Sequence, residues 1–87
     1  MYADQVALTL LPQEQEGQCK FAGQFVATRN ALEKFGWEVI VAALKLVREQ
    51  VAQKGGMDYL QILEINGERL WLIDDGEAVT ALRPDDY

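Results

Sequence analysis

The sequence predicts an α+β fold. It reads as a single small domain of order ββαβββ, with one long amphipathic helix packed on an antiparallel sheet that ends in a three-strand meander. Three observations carry this expectation. Residues 30–54 repeat apolar side chains with helical period and stop at Gly55-Gly56. Asn66-Gly67 and Asp75-Gly76 are hairpin turn signals between short apolar runs. The 87 residues suffice for one domain and no more, so residues 1–87 are taken as one unit.

Gln5–Leu11 reads as the first strand, because it is rich in aliphatic and β-branched side chains and is halted by Pro12. The polar stretch Gln13–Gln18 contains Gly17 and is expected as a loop. Cys19–Thr28 carries Phe21, Phe25 and Val26 and is expected to return as a second strand, with Gly23 marking a bulge. Together these make an N-terminal section, residues 1–28.

In the helix, Asn30 can serve as the cap, with Glu33 three residues on completing a capping box. Lys54 suits the last turn, where the helix dipole favours a cation. On a 100° wheel Gly36, Ile40, Ala43, Leu44, Val47 and Val51 share one face. Glu38, Lys45 and Glu49 lie opposite, flanked by Lys34 and Arg48. Gly36 either costs about 1 kcal/mol relative to alanine in a continuous helix or breaks off the first turns. A continuous helix would be about 36 Å long.

Residues 57–83 form the meander, with strands expected at Tyr59–Ile65, Glu68–Asp74 and Glu77–Leu82; residues 84–87 are an acidic tail. A two-residue turn at Asn66-Gly67 sets Glu64 opposite Arg69, Ile62 opposite Trp71 and Leu60 opposite Ile73. The other face then pairs Leu63 with Leu70 and Gln61 with Leu72. A second two-residue turn at Asp75-Gly76 adds Val79 beside Leu72 and Ala81 beside Leu70, and sets Asp74 against Glu77. Both faces of this meander are apolar, whereas a sheet with one wet face alternates apolar with polar. One helix covers one face. The N-terminal segment, a second copy or a partner must cover the other.

Composition removes several chemistries. With no histidine and the single cysteine Cys19, zinc, haem and iron–sulfur sites lack their usual ligands, and no cofactor is expected. Histidine-based acid–base catalysis and Ser-His-Asp triads are excluded. Paired carboxylates for glycoside hydrolysis need a cleft that 87 residues with one helix seldom build. Gly55-Gly56 follows a helix, whereas a phosphate cradle precedes one. Clustered Lys and Arg are lacking, so nucleic-acid binding is not expected. The longest apolar run, Val39–Leu44, is six residues, far short of a membrane span. No secretory signal is expected, and one unpaired cysteine suits a reducing cytoplasm.

The candidate residues each carry two readings. Asp74-Asp75-Gly76-Glu77 is a cation site or docking knob, or simply what a tight turn uses; against calcium, it lacks the full twelve-residue loop. Asp85-Asp86-Tyr87 is a frayed end or a short docking segment. Trp71 is a core anchor or the centre of a binding face, and Trp37 reads as core. Cys19 reads as a small hydrophobe, since no histidine can activate it.

The expected function is therefore a small acidic, non-catalytic protein–protein interaction module: a regulatory subunit, adaptor or inhibitor. Its partner would be another protein or a second copy of the chain. The surface would be Leu60, Ile62, Trp71, Ile73, Asp74, Asp75 and Glu77. An alternative is an anionic mimic of nucleic acid occupying a basic groove, as small inhibitors, phage-encoded ones included, can do. A carboxylate-based enzyme is a third, weaker option. Charge points to the same region: residues 1–54 are neutral, and residues 55–87 hold the whole net charge of −6.

Overall fold

The structure, a computed structural model, describes residues 7–11 and 17–87. Its strands are β1 (Leu8–Leu10), β2 (Gln24–Ala27), β3 (Leu60–Ile65), β4 (Glu68–Asp74) and β5 (Ala78–Leu82). Two helices, α1 (Arg29–Phe35) and α2 (Trp37–Lys54), lie between β2 and β3, and a single 3-10 turn follows at Pro84–Asp86. The fold is α+β, as expected. The five-stranded sheet runs β1-β3-β4-β5-β2.

The meander is built on its turns. Asn66 and Gly67 both have positive φ (51° and 87°), which a type I′ turn demands, and the β3–β4 register follows from it. Glu64 faces Arg69, Ile62 faces Trp71, Leu60 faces Ile73, Leu63 faces Leu70 and Gln61 faces Leu72, all as the sequence predicts. The second hairpin differs. Its central residues are Gly76 and Glu77, so Leu72 faces Ala81, Asp74 faces Val79 and Trp71 faces Leu82. The cause is Asp75, whose carboxylate accepts the N–H groups of Glu77 and Ala78, both at 2.9 Å. That holds Asp75 before the turn and leaves Gly76, at φ 98°, in the first central position of a type II′ geometry. The expected Asp74–Glu77 apposition is thereby avoided, and each side chain keeps its face.

The N-terminal section departs further. The expected first strand reduces to Leu8–Leu10 among the described residues, pairing antiparallel with β3; Gln5 and Val6 and most of the expected loop lie outside them. The expected second strand over Cys19–Thr28 is a strand at Gln24–Ala27 alone, and Cys19 makes an isolated bridge to Met57. It pairs parallel with β5 at the edge opposite β1, so the sheet is mixed and not the antiparallel one expected. Phe21 explains the interruption. Its φ of 54° breaks any strand, its N–H bonds the Asp74 carboxylate (2.9 Å) and its carbonyl accepts from Arg48 Nε (2.7 Å). Held so, its ring is fully buried, and residues 17–23 cross the end of the sheet as a strap.

The helix also divides. The cap is Thr28, whose hydroxyl accepts the Ala31 N–H (3.1 Å), rather than Asn30, which lies inside α1. Gly36 separates the helices at φ 82°, ψ 155°, a conformation essentially restricted to glycine. The rest of the expected face is buried: Ile40, Ala43, Leu44, Val47 and Val51 pack on Leu63, Ile65, Leu70, Leu72, Val79 and Ala81. Trp37 is not core. It is 48% exposed and tilts against Phe25 at 5.5 Å.

Candidate functional site

The helices and the strap occupy one face of the sheet, and strand alternation dictates what remains on the other. Successive residues of β3 alternate between partly and fully buried, and the partly buried set is Leu60, Ile62 and Glu64. Their cross-strand neighbours on β4 are Ile73, Trp71 and Arg69. β5 adds Thr80 beside Ile73 and Leu82 beside Trp71, and β2 adds Val26 beside Thr80. The result is two adjacent apolar rows, Ile62–Trp71–Leu82 and Leu60–Ile73–Thr80–Val26. An ion pair between Glu64 and Arg69 (3.6 Å) flanks them.

Trp71 is thus neither core nor fully exposed: it is half-buried in the middle strand of this face. The C-terminal residues reach it. Tyr87, itself 79% exposed, tilts against the Trp71 ring at 5.6 Å. The segment that places Tyr87 there is not frayed, as the sequence suggested, but tied down by Asp86. Its carboxylate accepts the Thr28 hydroxyl (2.8 Å), the Arg83 N–H (2.9 Å) and the Asn30 side-chain amide (3.2 Å). Neither Thr28 nor Asn30 was singled out for this role, because both precede Asp86 by more than fifty residues.

Of the seven expected surface residues, Leu60, Ile62, Trp71 and Ile73 come together on this face. Asp74 does not join them. It points to the opposite face, where its carboxylate accepts the Phe21 and Gly76 N–H groups (both 2.9 Å). Asp75 and Glu77 stand exposed at the hairpin tip. Val26, Thr80 and Tyr87 also lie on this face and were missed, as was Leu82, which is buried beneath it at 6% exposure; strand order and the docked tail decide their places.

The acidic groups are divided between the two ends of the sheet. Asp74, Asp75 and Glu77 lie at one end and Asp85 and Asp86 at the other, with the five residues of β5, about 17 Å, between them. Glu68 is drawn to the helix side by Lys34 (3.6 Å) and Arg83 (3.0 Å), and the Arg83 guanidinium also lies over the Phe35 ring. The N–H groups of Ala78 and then Glu77 hold the Asp75 carboxyl below its ordinary pKa. The Arg83 N–H, then the Thr28 hydroxyl, does the same for Asp86. Burial, with the charges of Asp74 and Asp58, pushes the Cys19 thiol up, the reverse of what a reactive thiolate needs. Among the described residues no group of three or more Cys, Asp or Glu side chains is placed to hold a metal ion. None of their helices is long and apolar enough to cross a membrane.

No family model matches the chain, and no curated protein or solved structure matches it either.

Proposed function

We propose that this chain is a small acidic, non-catalytic interaction module of a reducing cytoplasm, and that it binds another protein through the apolar face centred on Trp71. One observation carries the reading: the meander presents a second apolar face, turned away from both helices, with a tryptophan in its middle strand. Tryptophan carries much of the affinity in protein interfaces, because its ring buries a large area at little entropic cost. The Glu64–Arg69 pair supplies a polar rim, which orients a partner more than it strengthens binding. The single unpaired Cys19 supports the compartment.

The test is affinity capture from the native cell with the wild-type chain, Ile62→Asp and Trp71→Ala, each at low and high salt. A partner retained at high salt and lost with both variants is the expected result. A partner held equally by all three chains would refute the assignment of this face. One released by salt and by Asp75→Asn with Glu77→Gln would replace it with the anionic mode.

A further inference from the structure

The edge of β2 that no described residue pairs carries a separate inference; it shares Val26 with the Trp71 face but rests on backbone groups that the face does not use. β2 ends the sheet, and its pairing with β5 is parallel. In a parallel ladder, alternate residues turn both backbone groups to the same neighbour. The Thr28 N–H bonds the Ala81 carbonyl (2.9 Å), which places Gln24, Val26 and Thr28 toward β5. Phe25 and Ala27 therefore direct their N–H and C=O groups outward, and no described residue bonds to them there.

Sheet edges are normally guarded by lysine, proline, a bulge or a covering loop. The strand Gln24-Phe25-Val26-Ala27 contains no charge and no proline. Its flanks are apolar on both faces of the sheet. Val26 is 38% exposed on one, and on the other Trp37, 48% exposed, rests on Phe25.

We propose that β2 is a self-association edge, at which a second copy of this chain pairs its own β2 antiparallel about a two-fold axis and joins the two sheets. The register follows from the outward groups. Pairing Phe25 of each copy with Ala27 of the other is the register that uses both outward residues of each β2, and it places the axis at Val26. The large Phe25 then meets the small Ala27 beneath Trp37, and the two Val26 side chains meet in the close, non-hydrogen-bonded position. Charge fits the same register. Beyond the strand, Arg29 of one copy comes level with Gly23 of the other, and Gly23 packs against the backbone of Glu77. The exposed Arg29 guanidinium, whose ion pair among the described residues is with Glu33 at 3.5 Å, is thereby brought to the acidic Asp75–Glu77 turn. An isologous contact of this kind closes as a dimer and does not propagate.

The experiment is sedimentation velocity on the full chain over a concentration series, with amide hydrogen exchange read by NMR at the two ends of the series. The mass should double with concentration, and the Phe25 and Ala27 amides should become protected as it does. Val26→Lys sets two ammonium groups against each other at the axis, and Ala27→Pro removes an outward donor without touching the bonds to β5. Both should return the monomer. If Ala27→Pro fails to fold, protection of the Phe25 and Ala27 amides decides, because Val26→Lys also alters the Trp71 face. A monomer at every concentration overturns the proposal. So does a dimer that survives Val26→Lys, or one lost only with Ile62→Asp, which would place the contact on the Trp71 face instead.

Discussion

At the scale of the residue, Thr28 and Asp86 join the start of α1 to the C-terminal turn. The Thr28 hydroxyl accepts one hydrogen bond to begin α1 and donates another to hold the C-terminal turn. Thr28→Ala removes both, and the cap alone is worth about 0.5–2 kcal/mol. Thr28→Ser should restore most of the loss in chemical denaturation, because serine keeps the hydroxyl. Asp86 and Asp75 give the fold an acid limit. Both carboxyls have folded pKa values depressed by their donors. Their stabilisation is therefore fully present above the unfolded value of about 3.9 and is lost as pH falls through the folded values. In thermal melts between about pH 2 and 7, the wild-type midpoint should fall below about pH 4 as these groups protonate. Asp86→Asn with Asp75→Asn should be less stable at neutral pH and show a shallower acid limb. An acid limb as steep as that of the wild type would exclude these two groups as its cause.

At the scale of the element, Gly36 decides whether there is one helix or two. Had the helix run through, alanine there would stabilise the protein by about 1 kcal/mol through helix propensity. The observed φ of 82° with ψ 155° reverses the sign. A Cβ at Gly36 meets no other atom within 4 Å, so the cost is backbone strain alone, about 1–3 kcal/mol. Gly36→Ala should therefore lower the urea midpoint, and a raised midpoint would show that α1 and α2 can fuse. The same scale separates what the sequence disclosed from what it did not. Asn66-Gly67 specifies its turn almost alone, and every β3–β4 pair follows from it. Asp75-Gly76 is ambiguous, because aspartate can occupy a turn position or precede the turn and cap it from outside. Here the second use wins, and the partners slide by two while the faces stay. Helix periodicity located the buried face of α2 but not the break, since the wheel places Gly36 on that face in either case.

At the scale of the whole molecule, the core is one layer of apolar side chains between the sheet and α2. Leu63, Leu70 and Leu72 are fully buried in it, and Phe21 from the strap closes it. A domain of this size has a margin of only about 5–15 kcal/mol. Leu72→Ala, which opens a cavity under α2, should remove about 2–5 kcal/mol of it. Calorimetry should show that loss as a large drop in melting temperature, whereas Trp71→Ala on the outer face should cost less. Strand order was the part of the fold least legible in advance. Alternation tells which side of β2 faces inward, but it does not tell which strand lies beside it. That choice rests on Phe21 and its hydrogen bonds to Asp74 and Arg48, two contacts between residues far apart in sequence that leave no local pattern. The apolar rows of the candidate site were half legible for the same reason: Leu60, Ile62, Trp71 and Ile73 follow from one turn, and Val26 follows only from the sheet order.

The parallel pairing of β2 with β5 also bears on how the chain reaches its structure. The meander closes two short loops, one at Asn66-Gly67 and one at Gly76-Glu77, at small entropic cost. β2 must find a partner 54 positions later in the chain, Gln24 beside Ala78, before any of its bonds reward the closure. The meander's pairs are therefore local contacts, and the β2–β5 pair is the long-range one. Without β2 in place β5 would itself be an open edge, so a substitution that weakens the β2–β5 pairing would expose a second strand edge.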